Sequence, residues 1–241
     1  GTLVDWEGGV ASFLHQLARR EGDTDPGPGR LLRDRWEALQ FERLAGPYRP
    51  YRTILADSLG AWCRERGYPV RAADGEALAA AMGSWQPFPD TRPALRQARA
   101  AGLRLVIVSN TDRAIMAHTL RQLEVPFDEV IVAEDCGAYK PADTVFRHAL
   151  ERLGEPPGTI LHGAFGFKYD IGPAARHGMG TAWVNRHAET RPDVGGAPRL
   201  SAEALPDAAG PRPDTAGPRP DFTWRDLWGL AELVGGPGPG F

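Results

Sequence analysis

Four short motifs in this chain carry polar side chains that could take part in a reaction. Thr2 follows the opening glycine, Ser109 and Asn110 stand in the segment SNTD, Lys140 in YKP, and Asp170 at the end of GAFGFKYD. A hydroxyl and a side-chain amide can hold a carboxylate or phosphate oxygen. A lysine ammonium can act as a compact positive charge. These residue types would suit a small molecule that carries such oxygens.

Lysine is rare in this sequence, which draws attention to Lys140. Of the 28 basic residues, only Lys140 and Lys168 are lysines. A chain that uses arginine for nearly every surface cation keeps lysine where a compact ammonium is needed, although codon bias would leave the same two residues. We expect a structural or rim position for Lys168. Glu134 and Asp135 precede Lys140 in the chain, and we expect them to position it.

Each candidate also has a purely structural interpretation. A cap at the start of a helix, for example, uses the same short polar side chains. These interpretations are an ordinary turn residue for Thr2, a cap of a helix over 112–122 for Ser109 and Asn110, a solvated surface side chain for Lys140, and the N-cap of a helix over 170–177 for Asp170.

The motifs lie in two regions of different sequence texture. Residues 8–83 have apolar side chains at helical spacing and no strand-like alternation, so this block is mostly helical. This helical block ends at Trp85 and the segment 87–89, which contains two prolines. We predict helices over about 8–21, 30–45, 52–67 and 74–83.

From Asp90 onward, short apolar runs alternate with helical segments. This pattern favours an α/β fold, with a parallel sheet and helices on both faces. The carboxyl ends of parallel strands share one edge, where ligands bind, and the motifs follow successive strands at intervals of about one βαβ unit. We predict helices over 91–102, 112–122, 143–153, 170–177 and 222–234, and strands over 103–110, 158–162 and 181–185. Residues 127–135 are expected to form a strand that leads into an acidic loop.

Composition excludes several classes of protein. The chain is 42% hydrophobic and 24% charged, and its net charge of −3 gives no electrostatic basis for binding nucleic acid or an anionic membrane. No apolar run approaches the roughly 20 residues that span a bilayer. Cys63 and Cys136 predict free thiols in a reducing, cytoplasmic setting. The Pro- and Gly-rich stretch 188–221 predicts a mobile loop or linker.

Taken in order, the motifs resemble the haloacid dehalogenase-like superfamily, and within it the branch of 2-haloacid dehalogenases and azetidine-2-carboxylate hydrolase. The matching segments are GTLVDWEGG, FPDT, LVIVSNTDR, FDEVIVAEDCGAYKP, ILHGAFGFKYDIGPA and TAWVNR. The resemblance implies a Rossmann-like core over residues 1–7 and 84–241, with a helical cap inserted over residues 8–83. It also implies a hydrolase that opens a C–X bond of a small organic acid through an aspartyl ester, without a metal or another cofactor.

The resemblance assigns a role to each motif. The family's nucleophilic aspartate would stand three residues before Gly1, so we expect it upstream of that glycine, and Asp5 is no substitute for it. Thr2 would place a hydroxyl beside the nucleophile. Lys140 would neutralise the charges of substrate and nucleophile, and Asp170 would orient water or a metal. The remaining candidates would bind the substrate: Ser109, Asn110, Phe165 and Phe167.

Several positions depart from the family pattern. Phe165 stands where phosphatases of the superfamily have an aspartate that helps to hold magnesium, a cation that prefers oxygen ligands. The carboxylate-binding arginine of the dehalogenases aligns with Glu37, with Arg35 nearby. Their pocket tyrosine aligns with Phe146. Both a metal-dependent mechanism and haloacid specificity are therefore open questions at this point.

Two alternative functions stay open as well. One is a phosphatase of the same fold that uses Mg²⁺, and the other is a binding or regulatory protein that lacks the nucleophile. For partners, we expect a small-molecule substrate and neither nucleic acid nor membrane, and we leave a homodimer open. The central structural prediction is a single pocket that contains Thr2, Ser109, Asn110, Lys140 and Asp170.

Overall fold

Our computed structural model of the chain describes residues 1–188 and 219–236, and its first layer is helical. The four helices predicted for the first 84 residues are confirmed to within two residues at each end. Their apolar faces meet in one cluster, in which Trp36, Ile54 and Trp62 are almost completely buried. These helices are α1 (Trp6–Arg20), α2 (Gly29–Leu44), α3 (Tyr51–Glu65) and α4 (Ala72–Ser84).

The second layer is the predicted α/β region. Strands and helices alternate along the chain, and every pairing between the described strands is parallel. The helices are α5 (Thr91–Ala100), α6 (Arg113–Leu123), α7 (Ala133–Cys136), α8 (Asp143–Leu153), α9 (Gly172–Arg176) and α10 (Trp228–Leu233). The strands are β1 (Val106–Ser109), β2 (Glu129–Val132), β3 (Leu161–Ala164), β4 (Gly180–Val184) and β5 (Phe222–Trp224).

Several predicted boundaries are wrong. The first strand begins at 106 and not at 103, and a short helix, α7, stands where an acidic loop was expected after β2. The strand expected over 158–162 begins later, because Pro157–Thr159 forms a 3-10 turn and β3 follows it. The helix expected over 170–177 is preceded by a π-helical turn over Phe167–Ile171. The single helix expected over 222–234 is a strand followed by a helix: the β-favouring residues of β5 pair with β4, and the chain turns into α10 where Asp226 accepts a hydrogen bond from the Trp228 amide at 2.9 Å.

The parallel strands form two sheets where the sequence predicts one. Within the described residues, β1 pairs with β2, and β4 lies between β3 and β5. The opening segment connects the two parts: Leu3 packs on clusters that contain Ile107 of β1 and Val184 of β4. The Leu3 carbonyl accepts hydrogen bonds from the Phe88 amide and the Thr91 hydroxyl at 3.1 and 2.8 Å. The start of the chain is therefore part of the core.

Three expectations from the sequence concern membrane spans, the two cysteines and the segment 188–221. Within residues 1–188 and 219–236, no helix is long and apolar enough to cross a membrane. Cys63 and Cys136 are both free thiols, as predicted. The prediction of a mobile segment over 188–221 falls almost wholly outside the described residues.

A buried carboxylate fastens the helical layer to the α/β layer. Both oxygens of Asp112, which follows β1, accept hydrogen bonds at 2.7 Å from the first amides of α3, those of Tyr51 and Arg52. The Tyr139 hydroxyl adds a second link, since it donates to the Arg49 carbonyl at 2.7 Å. A helix leaves its first amides without partners inside the helix, and the α/β layer supplies their acceptor.

We predict that Asp112→Ala lowers the free energy of unfolding by about 2 kcal/mol, because it leaves two amides of α3 without an acceptor. Urea unfolding followed by circular dichroism measures the change. Asp57→Ala is the control, because Asp57 pairs with Arg49 on the surface and its loss should change stability by less than about 0.5 kcal/mol. Equal effects of the two substitutions would contradict the fastening role of Asp112.

Candidate active site

Lys140 and Asp170 form a buried ion pair at the carboxyl end of β1. The Lys140 Nζ donates to Asp170 Oδ1 at 2.5 Å and to the carbonyl of Val108, on β1, at 2.8 Å. The two side chains are only 10% and 9% exposed. Lys140 is therefore no solvated surface lysine, and its ammonium is held inside the molecule.

Asn110 fixes the backbone that carries this lysine. Its side-chain amide donates to the Lys140 carbonyl at 3.0 Å, and its Oδ1 accepts from the Lys140 amide at 2.7 Å. The Asn110 side chain is thus bound to the YKP motif. It does not cap α6, because the first amide of that helix, that of Arg113, donates to Glu134 at 2.8 Å. Ser109 lies directly before Asn110, half-buried at the end of β1. The structure brings the SNTD and YKP motifs together.

The environment of Asp170 keeps its carboxylate ionised. Burial alone would raise the pKa of this carboxyl, but the charge of Lys140 and a hydrogen bond with His162 outweigh it and lower the pKa from 3.8 to about 2. The Nε2 of His162, on β3, lies 3.0 Å from Asp170 Oδ1. Asp170 lies inside the π-helical turn before α9, so it is not the N-cap of that helix.

Thr2 is bound to the loop after β3. Its hydroxyl accepts a hydrogen bond from the Phe165 amide at 3.0 Å, and its carbonyl accepts one from Arg186 at 2.8 Å. Gly1 lies against the ring of Phe165, and a Cβ atom at position 1 would come within 2.3 Å of it. A side chain at this position would have to displace that ring, whereas glycine leaves it in place. The segment that Thr2 contacts in this way leads on to the turn that carries Asp170.

Arg186 holds the opening turn in place from the other side. It forms a bidentate ion pair with Asp90, with N–O distances of 3.0 and 2.9 Å, and its guanidinium lies 3.9 Å from the centre of the Phe88 ring. Asp90 also accepts the Leu227 amide at 2.6 Å. An arginine that is paired in this way fixes the Asp90 carboxylate and the Thr2 carbonyl relative to each other.

A small cavity beside the site is lined in part by Gly1, Glu7, Phe165 and His187. Glu7 bonds to His187 Nε2 at 2.5 Å and also pairs with Arg33 of α2. The Glu7 and Arg33 side chains are 13% and 15% exposed. This ion pair places a largely buried guanidinium from the helical layer close to the opening turn.

Several candidates from the sequence lie elsewhere. Phe167 is buried against Trp183 in a hydrophobic cluster, so its position gives it a packing role and does not support substrate binding. Asp135 does not position Lys140: it accepts the Val132 amide at 2.9 Å. Glu134, bound to the Arg113 amide, does not position it either. Arg35 is exposed and pairs with Glu65.

Three further residues considered from the sequence, Lys168, Phe146 and Asp5, have positions that a structural role explains. Lys168 is exposed, as a rim position requires. Phe146 is 1% exposed in the core between α8 and β3, where its ring contacts that of His162. Asp5 accepts the Gly8 amide at 2.9 Å and caps α1, which explains an acidic residue there without any catalytic role.

The motifs do not single out two residues of the site, His162 and Arg186. A signal for each is nevertheless present in the sequence, because each is a basic side chain within or directly after a buried apolar run (GTILH and TAWVNR). Buried basic side chains require partners. The partner of His162 is Asp170, and that of Arg186 is Asp90.

Comparison with known proteins identifies the family. A family model for the haloacid dehalogenase-like hydrolases matches residues 1–162. The (S)-2-haloacid dehalogenase of Pseudomonas putida is 28% identical over 193 residues, 77% of this chain and 81% of that protein. The (S)-2-haloacid dehalogenase of Pseudomonas sp. strain YL is 27% identical over 214 residues, 85% of this chain and 88% of that protein.

Solved structures share the fold. The L-2-haloacid dehalogenase RSc1362 gives a TM-score of 0.74 at 25% identity, covering 98% of this chain and 95% of that one. The L-2-haloacid dehalogenase from Xanthobacter autotrophicus with chloropropionic acid covalently bound gives 0.73 at 24% identity, covering 98% and 95%. The chain thus has the α/β fold of these dehalogenases, with parallel strands and helices. Because the family model spans more than half of its length, this chain belongs to the haloacid dehalogenase-like hydrolases.

We predict that the Lys140–Asp170 pair makes part of the stability dependent on pH. Folding lowers the pKa of Asp170 from 3.8 to about 2, so its stabilisation is complete above the unfolded value and is lost as the pH falls through the folded one. The lost part should be on the order of 2 kcal/mol. Urea unfolding between about pH 5 and about pH 2 measures it.

The comparison is with Asp170→Asn, which has no carboxyl to titrate at this position. Its stability should fall less steeply with acid than that of the wild type. The same slope in both proteins would mean that the Asp170 carboxyl has no lowered pKa.

Proposed function

We propose that this protein hydrolyses a C–X bond of a small organic acid, as a 2-haloacid dehalogenase does. The observation that carries the proposal is the buried Lys140 ammonium, paired with Asp170 and held over the end of β1. A fixed positive charge of this kind can bind an anionic group and stabilise the negative charge that moves during a displacement. Relatives whose names state this activity, at 27–28% identity, support the same substrate class.

The chemistry we propose has two steps. A carboxylate oxygen of an aspartate, which the family pattern places three residues before Gly1, attacks the carbon that bears the leaving group. The C–X bond breaks and X leaves with the bonding electrons, which forms an ester. Water then loses a proton to Asp170 as its oxygen adds to the ester carbonyl, and the bond between the acyl carbon and the substrate oxygen breaks. The products are a hydroxy acid, X⁻ and a proton.

The residues around Asp170 do not suit a divalent cation. The Asp170 Oδ1 is already bound by the Lys140 ammonium and by His162, and the apolar ring of Phe165 stands where phosphatases have an oxygen ligand. Within the described residues, no group of three or more histidine, cysteine, aspartate or glutamate side chains could hold a metal ion. Hard cations need several oxygen ligands, and the proposed reaction therefore has no step that uses a metal.

We further propose that Arg33 recognises the substrate carboxylate. Arg33 is a largely buried arginine of the helical layer near the opening turn. It is held there by Glu7 and by Asp34, whose Oδ1 accepts from its Nε and Nη2 at 3.1 and 2.7 Å. Arg35, which lies near the position where the family alignment expects this role, points to solvent and binds Glu65. A guanidinium can bind a carboxylate through two parallel hydrogen bonds, so a substrate carboxylate could replace Glu7 as its partner.

The proposal also includes roles for the helical layer and for the polar residues near the lysine pair. The helical layer over residues 8–83 acts as a cap over the edge of the sheet, and Asp112 and Tyr139 anchor it. Ser109, Asn110 and Thr2 line the site from the α/β layer. A reducing, cytoplasmic location agrees with the two free thiols, and a homodimer remains a prediction.

We predict that Lys140→Met lowers turnover about 10²–10³-fold in the full-length protein, because the preorganised charge is lost. Lys140→Arg should not restore it, since a planar guanidinium is bulkier than the ammonium between two carboxylates. The assay measures halide release from a panel of 2-halo acids, together with azetidine-2-carboxylate and an aryl phosphate. Wild-type turnover should persist in EDTA.

Lys168→Met is the matched control, because Lys168 is the exposed second lysine, and its turnover should equal that of the wild type. Full activity in Lys140→Met would reject the role of the lysine. Phosphate release that appears only with added magnesium would reject the proposed reaction in favour of a phosphatase.

For substrate recognition, we predict that Arg33→Met raises KM for a 2-halo acid at least about 10-fold and changes kcat much less. Loss of a charged hydrogen-bond partner from a binding site has an effect of this size. Arg35→Met, which removes the neighbouring exposed arginine, should leave KM unchanged. If both variants behave alike, or if the change is confined to kcat, Arg33 does not bind the substrate carboxylate.

A further inference from the structure

His162 is a largely buried histidine in β3 that contacts Asp170 and has no role in the two steps proposed above. Its Nε2 lies 3.0 Å from Asp170 Oδ1, and the two side chains are 13% and 9% exposed. We propose that His162 is a positioning residue: it donates a hydrogen bond to Asp170 Oδ1 and thereby fixes the carboxylate for the hydrolysis of the ester. This inference rests on the proposed function and adds a residue to it.

The two oxygens of Asp170 are in different situations. Oδ1 is bound by two donors, Lys140 and His162. The described residues give Oδ2 no hydrogen bond, and it lies over Gly166, where a Cβ atom would come within 2.7 Å of it. Glycine at 166 therefore leaves room for Oδ2. With Oδ1 held by two donors, Oδ2 is the oxygen that can accept a proton from water.

The second donor also affects the lysine. In an isolated pair, the Lys140 ammonium and the Asp170 carboxylate would largely cancel each other's charge. An imidazole N–H that donates to the same oxygen takes up part of the negative charge of the carboxylate. The ammonium then keeps more of its attraction for an incoming anion. One contact of His162 thus serves both the orientation of Asp170 and the electrostatics of Lys140.

The fold holds the imidazole in one place. His162 stands within β3, opposite Thr181 in the parallel pairing with β4. Its ring meets that of Phe146 edge to face, with centroids 5.8 Å apart. A side chain confined by a strand and an aromatic ring keeps its Nε2 toward Asp170, which is the condition for a positioning role.

The test uses three variants of the full-length protein. His162→Phe keeps a ring but removes the donor, and His162→Gln keeps an N–H donor at a similar reach. His177→Phe is the control, since His177 stacks on the same Phe146, with centroids 5.5 Å apart, but binds Asp143. Rapid quenching and intact-mass spectrometry measure formation and hydrolysis of the covalent ester separately, and thermal unfolding compares stability.

We expect His162→Phe to slow hydrolysis of the ester about 10- to 100-fold, the effect of losing a hydrogen bond to a charged group. At saturating substrate, where a weaker attraction of Lys140 for the anion is compensated, formation of the ester should change less than about 3-fold, so the ester should accumulate. His162→Gln should recover most of the rate, and His177→Phe should match the wild type. Equal slowing of both steps, or no recovery in His162→Gln, would overturn the positioning role.

A second readout does not depend on turnover. Nitrogen NMR of histidine-labelled protein identifies which ring nitrogen of His162 carries the proton, with His162→Phe used for assignment. A proton on Nε2 supports donation to Asp170, and an Nε2 without a proton overturns it. If the wild type turns over no acid of the panel, the proposed function fails, and the protonation of Nε2 still decides whether His162 holds Asp170.

Discussion

The burial of one positive and one negative charge together is the constraint on which the rest of this site depends. Removing either ion from water costs several kcal/mol, and only good geometry with additional hydrogen bonds offsets that cost. The Val108 carbonyl accepts from the Lys140 ammonium, and the His162 ring lies within hydrogen-bond distance of Asp170. Asn110 fixes the Lys140 backbone, and glycine at 166 makes room for the second carboxylate oxygen. These residues come from the end of β1 and from β3 with the turn after it, so the fold must bring the two segments together.

The opening segment is the second structural requirement. Leu3 joins the two sheets, and Thr2 contacts the loop that carries Asp170. Arg186 and Asp90 tie this segment to the end of β4 and to α10. The turn at Gly1 is thus held by contacts from both halves of the α/β layer. Rigid placement of this kind is what preorganised catalysis needs.

Much of this arrangement could be predicted from the sequence, for identifiable reasons. The four helices of the first layer lie in a block without strand-like alternation, and the structure brings Lys140, Asn110 and Asp170 together as the short polar motifs at strand ends predicted. The single pocket that also includes Thr2 and Ser109 stays a prediction. What could not be predicted depends on long-range pairing. Residues 222–224 form a strand only because β4 lies beside them, and His162 and Arg186 are recognisable as site residues only once their distant carboxylates are known. Phe167 failed as a candidate because its place in the motif does not reveal that its ring turns into the core.

The central claim is that the buried lysine–carboxylate pair serves a reaction through an enzyme ester. A single turnover in heavy-oxygen water, with full-length enzyme in excess over a 2-halo acid, tests this claim most directly. The account predicts that the hydroxy acid carries ordinary oxygen, because its new oxygen comes from the enzyme carboxylate, and that the label appears in the peptide containing the nucleophilic aspartate. Label in the hydroxy acid after one turnover, with none in the enzyme, would show direct attack by water and contradict the account.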